Sequence, residues 1–107
     1  MDATFQTALN GFSFVVQLAI GFDRELGETN LVLVLSNDAE LVRRRTFWFQ
    51  GLTQLRLDSI GGGLLQFHGL QITDVADREI DRIRYAVEDV EQGSIAFLCR
   101  DITCQDE

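Results

Sequence analysis

Apolar and polar residues alternate with a period of two over much of this chain, most clearly across Arg82–Thr103. Ile83, Tyr85 and Val87 alternate with Arg84, Ala86 and Glu88. Ile95, Phe97 and Cys99 alternate with Ala96, Leu98 and Arg100, which is again the period of a half-buried strand. Glu91-Gln92-Gly93 suits a three-residue hairpin connection, with Gly93 in the left-handed conformation that a Cβ resists. That loop length sets Val90 opposite Ser94, Val87 opposite Phe97 and Tyr85 opposite Cys99, so the apolar side chains meet on one face. Leu98 and Ile102 fall on the other face, and the second strand reads as covered on both sides.

The same alternation predicts the rest of the chain. Asp2–Leu9 reads as one or two helical turns, capped by Asp2 and stopped at Asn10-Gly11. From Phe12 to Phe22 every even position is apolar, giving a long strand with one greasy face. Asp23–Glu28 is a polar turn. Leu31–Leu35 is a strand with Val32 and Val34 on its reverse. Ser36-Asn37-Asp38-Ala39 turns the chain; the competing reading has Asn37 or Asp38 capping a short helix through Arg44. The turn is preferred because Leu41–Phe49 becomes rich in aromatic and β-branched residues. Gly51 marks a bulge or tight corner, and Gln54–Ser59 follows with Leu55 and Leu57 inward. Gly61-Gly62-Gly63 is a loop, Leu64–Val75 a strand kinked at Gly69, and Ala76–Asp81 a charged, exposed connection. About seven strands with short connections predict a mainly all-β fold: an antiparallel β-sandwich or a strongly bent half-barrel.

A chain of 107 residues reads as a single domain over 1–107, long enough to bury a core without staples. No apolar run reaches the roughly 18 residues that span a bilayer. With Asp2 near the start and no basic residue before Arg24, Phe12–Phe22 is a poor signal peptide, and the expected location is the cytoplasm. The net charge of −8 is uneven. Residues 1–73 hold seven acids and five arginines, a net −2; residues 74–107 hold ten acids and four arginines, a net −6. Such a surface repels nucleic acid and anionic membrane and attracts basic partners. All nine basic residues are arginine, which excludes a phosphate-loop lysine and a Schiff-base lysine. Cys99 and Cys104 would lie on opposite faces of a continuous strand, roughly 16 Å apart, and so are expected to be reduced thiols.

Few groups carry chemistry. His68 is the only histidine, so any Ser–His or Cys–His pair must use it, yet no G-x-S-x-G surrounds a serine. Its plainer role is a half-buried strand histidine. One histidine and two cysteines lack a fourth zinc ligand at useful spacing. Asp77, Glu79, Asp81 and Glu88 fall on positions 1, 3, 5 and 12 of a calcium-loop frame, but Arg82 stands where the turn wants glycine. Glu88 and Asp89, being adjacent, face opposite ways and are no catalytic pair. The glycine run lacks the lysine and helix start of a phosphate cradle. No cofactor is expected. Arg43-Arg44-Arg45 beside Phe47-Trp48-Phe49 combines residue types frequent at interaction hot spots. Against that, the arginines can pair with the chain's own carboxylates while the aromatics fill the core.

The segments Thr46-Phe47-Trp48-Phe49-Gln50-Gly51-Leu52-Thr53-Gln54-Leu55-Arg56-Leu57, Gly69-Leu70-Gln71-Ile72-Thr73-Asp74-Val75 and Tyr85–Asp89 with Ile95–Cys99 resemble small bacterial all-β proteins of the toxin-immunity-protein type. The likeness covers about residues 46–103 and rests on apolar and glycine positions. It implies a fold and a role against a toxin, and it carries no site residue with it. The leading expectation is therefore a non-enzymatic acidic binding protein, an immunity-type inhibitor of a basic toxin. Its candidate contacts are Asp74, Asp77, Glu79, Asp81, Glu88, Asp89 and Glu91, with Arg43, Arg44 and Arg45. A second reading is a small-molecule-binding or catalytic β-barrel with its site around His68, Trp48 and Tyr85. The third is a structural subunit whose edge strands pair in a homo-oligomer.

Overall fold

One long strand serves two halves of a bent sheet. The computed structural model describes residues 4–58, 60–61, 63, 65–67, 69–76 and 83–106. A short helix, α1 (Thr4–Leu9), precedes seven strands: β1 (Phe14–Asp23), β2 (Glu28–Ser36), β3 (Arg44–Leu57), β4 (Leu70–Asp74), β5 (Tyr85–Asp89), β6 (Ile95–Cys99) and β7 (Asp101–Asp106). All pair antiparallel in the order β1-β2-β3-β6-β5-β4, with β7 also on β3. Arg44–Leu52 of β3 pairs with β2, and Arg45–Gln50 pairs with β7 on the other side. Thr53–Leu57 then pairs with β6. The result is the strongly bent, open antiparallel sheet that the alternation predicts.

The bend has a local cause. Gly51 has φ 68° and Gln54 φ 56°, both in the left-handed region, and each shifts the ladder as a bulge does. The facing strand turns at the same level: β6 ends at Cys99, the Arg100 N–H donates to Gln50 O at 2.9 Å, and β7 begins at Asp101. This corner changes the parity expected for the tail. Ile102 lies opposite Phe49 and is buried in the core, while Leu98 is half-buried on the outer face. The two therefore do not share a face. Cys104, opposite Phe47, also packs against the core with Cys99, and both thiols are free.

The concave side holds the core. Leu31, Leu33 and Leu35 of β2 meet Phe47 and Phe49 of β3, and Tyr85, Val87, Ile95 and Phe97 continue it into the second half. Phe49 stands edge-on to Phe97 with ring centroids 5.0 Å apart and stacks on Phe47 at 6.2 Å. The β5–β6 hairpin has the register that alternation predicts, with Tyr85 opposite Cys99 and Val87 opposite Phe97. Its turn closes with the Gly93 N–H donating to Asp89 O at 2.9 Å, and Gly93 has φ 67°. A Cβ there meets no atom within 4 Å, so the cost of substitution is conformational. Gly93→Val is expected to lower stability by about 1 kcal/mol or more, read as a fall in melting temperature.

Helix α1 closes one end. Gln6 works as a stand-in strand on the free edge of β4: its Oε1 accepts from Ile72 N–H at 2.8 Å and its Nε2 donates to Leu70 O at 3.3 Å. Phe5 packs edge-on against Tyr85, and the helix stops at Asn10-Gly11. The Asp2 cap lies outside the described residues.

Three expectations need correction. In β1 a bulge between Val15 and Gln17 breaks the even-numbered face: Val15 lies opposite Leu35 and Leu18 opposite Leu33, while Ile20 and Phe22 run past the core into solvent. Leu57, opposite Ile95 at the end of β3, is exposed rather than inward. The strand expected over Leu64–Val75 starts at Leu70, after a turn at Gly69; before it, Gln66 makes only an isolated bridge to Phe14.

Candidate functional site

The sheet's convex side is a surface of small and polar residues with one apolar centre on each half. On the half built from β4, β5, β6 and the end of β3, ladder pairing aligns Gln71, Glu88, Ala96 and Arg56 in one row. The next row holds Thr73, Ala86, Leu98 and Thr53. Glu88, Gln71, Thr73, Thr53 and Arg56 are exposed, and Ala86, Ala96 and Leu98 are half-buried between them. On the other half, Ala19, Val32, Trp48 and Thr103 form a row with Trp48 half-buried at its centre. Small and polar residues around a half-buried apolar centre suit contact with another protein.

The acidic candidates divide according to what each carboxylate already does. Glu88 is exposed on the convex face, and Glu91 is exposed at the β5–β6 turn beside the exposed Val90. Asp74 is partly buried, accepting from Ala76 N–H at 3.0 Å with Arg84 Nε 3.9 Å away. Asp89 is only 2% exposed. It sits on the concave side, where its Oδ1 accepts from the N–H groups of Glu91 at 3.2 Å and Gln92 at 3.4 Å. It thus organises the hairpin turn, as aspartate often does. Asp77, Glu79 and Asp81 lie outside the described residues, which takes most of the calcium-loop frame with them. Among the described residues no three His, Cys, Asp or Glu side chains are grouped to hold a metal ion.

The arginines separate in the same way. Arg43 and Arg44 are exposed, with Arg44 Nε donating to Leu41 O at 2.9 Å. Arg45 faces the concave side and is structural. Its guanidinium makes a two-pronged pair with Asp106 at the chain's end, donates from Nη1 to Ala8 O at 2.7 Å, and lies 4.2 Å from the Phe12 ring centroid. One side chain thereby ties together β3, β7, the last turn of α1 and the segment behind it. The hydrogen bond to Arg45 holds the Asp106 carboxyl below its ordinary value, and the Asp106 bond raises Arg45 in return. Burial pushes the Cys99 thiol up to about 12, with Asp101 adding to the shift, so it is no thiolate nucleophile near neutrality.

Of the composite site of His68, Trp48 and Tyr85, the two described members lie on opposite sides of the sheet. Tyr85 is buried on the concave side and Trp48 lies on the convex side, a consequence of their positions on β5 and β3; His68 lies outside the described residues. Neither of two cavities receives either aromatic. One, of about 230 Å³, lies between the end of α1, Phe12 and the start of β4. The other, of about 460 Å³, lies between α1, Arg45 and Cys104. Gly61 and Gly63 adopt φ of 118° and 106°, as a loop requires, and Gly62 lies outside the described residues. Among the described residues no helix is long and apolar enough to cross a membrane.

The family model described as Immunity protein PIM8 matches residues 10–105, from the end of α1 through nearly all of β7. No curated protein and no solved structure matches.

Proposed function

This chain belongs to the Immunity protein PIM8 family, and on that premise we propose that it binds a toxin and inhibits it by occluding a working surface, without chemistry of its own. The family match carries the reading, and the convex face of small and polar residues around half-buried apolar centres supports it. The proposed target is a basic toxin of the bacterial cytoplasm. Residues 74–107 hold most of the net negative charge, and Glu88 and Glu91 are its freely exposed carboxylates around the β5–β6 hairpin. Charge of that kind speeds encounter with a positive surface, and the Leu98–Ala96–Ala86 centre then offers apolar area to desolvate.

The test begins with capture of the partner from the source cell and its identification by mass spectrometry. Association is then measured with the double variant Glu88→Gln, Glu91→Gln. The expected result is association slower by roughly 3- to 10-fold at low salt, with a flatter salt dependence and little change in dissociation. Unchanged association would remove both carboxylates from the interface. Capture of no toxin at all would count against the function itself.

A further inference from the structure

We propose that β1 is a homodimer interface, along which two copies of this chain pair edge to edge through Gln17–Asp23, antiparallel about a two-fold axis at Ile20. Among the described residues, the edge of β1 facing away from β2 is used only at its start. There Val15 N–H donates to Leu65 O at 2.8 Å and Ser13 O accepts from Phe67 N–H at 2.9 Å. Beyond Val15, no described residue outside the β1–β2 hairpin bonds to the strand's backbone. Soluble proteins usually blunt such an edge with charge, proline or a cover. Here Phe14–Phe22 contains neither a charged residue nor a proline. Instead Ile20 and Phe22 stand 47% and 65% exposed.

The strand's own sequence argues for a second copy as the occupant. A two-fold interface places each residue against a symmetry-related one, so the edge must complement itself. With the axis at Ile20, the concave-side row reads Leu18 against Phe22, Ile20 against Ile20 and Phe22 against Leu18. All are apolar, and they prolong the row that Leu31 and Leu33 begin on β2. The convex-side row reads Gln17 against Asp23 and Ala19 against Gly21, an amide facing a carboxylate and two side chains too small to clash. Registers with the axis two residues away fail. An axis at Phe22 sets Arg24 against Ile20, and an axis at Leu18 brings the second copy onto the residues already bonded to Leu65 and Phe67.

The register makes the test specific. Residues directly opposite in an antiparallel pair have Cα atoms about 4.5–5.5 Å apart, within the range of a disulfide. In the full chain, Ile20→Cys faces its own copy, whereas Phe22→Cys faces Leu18. Under mild oxidation Ile20→Cys is expected to give roughly tenfold more linked dimer than Phe22→Cys. The unsubstituted chain, with Cys99 buried and Cys104 half-buried, is the control. Light scattering of the unsubstituted chain across a dilution series should show a mass falling from two chains towards one. A single-chain mass at every concentration, or equal cross-linking by the two variants, overturns the proposal. A monomer whose Ile20→Lys variant loses a captured partner protein also overturns it, and gives this edge to that partner.

Discussion

Phe49→Ala is expected to destabilise the protein by about 3–5 kcal/mol, the usual cost of removing a phenylalanine from a closed core. Phe49 is fully buried, lies opposite Leu31 on one side and Ile102 on the other, and contacts the rings of both Phe47 and Phe97. It is the point at which the two halves of the sheet share a core. Neighbours on four different strands cannot collapse into the space of one ring, so most of the cavity would persist. Small domains have about 5–15 kcal/mol in all, so this substitution should shift the urea midpoint sharply at nearly constant slope. A loss below about 1 kcal/mol would mean the core relaxes there and that the sheet is less tightly bent than described.

The second large effect is expected at the corner. Gly51→Val should cost roughly 2–4 kcal/mol, from left-handed strain together with overpacking. Gly51 has φ 68°, and a Cβ built on it would come 3.0 Å from Arg100 Cβ and 3.3 Å from Glu28 Oε2. The guanidinium of Arg100 bonds Glu28 at 2.9 Å and also pairs with Asp101. A side chain at position 51 would therefore push on the ion pairs that stiffen the bend. Gly93→Val supplies the comparison: it carries the same φ strain with no neighbour in range. The melting temperature should fall further for Gly51→Val than for Gly93→Val. Equal falls would show that the contact with Arg100 contributes nothing.

The β5–β6 register was legible because its signals are local. Alternation sets which residues face inward, and Gly93 sets the loop, so one pairing satisfies both. Parity fails wherever a single residue is added to a strand. The bulge after Val15 and the corner at Arg100 each reverse inside and outside, and nothing in Val16 or Arg100 as residue types announces this. Gly51 was recognisable as a corner, but its consequence, a strand passing from one half of the sheet to the other, depends on partners about 50 residues away. The candidate contacts differ in burial for a related reason. Charge counts do not distinguish Glu88, which points to solvent, from Asp89, which folds inward to hold a turn. Arg45 is set apart from Arg43 and Arg44 by Asp106, Ala8 and Phe12, which meet it only in the folded chain. The exposed edge of β1 does have a visible signal, an uncharged run without proline, but alternation alone shows only a long strand with one greasy face.

Because β3 belongs to both halves of the sheet, neither half can melt and leave the other intact. Losing β7 strips one flank of Arg45–Gln50, losing β6 strips Thr53–Leu57, and Phe49 would lose its packing in either case. Denaturation should accordingly be a single cooperative transition, with Trp48 fluorescence on one half and far-ultraviolet dichroism of the whole sheet superimposing at every denaturant concentration.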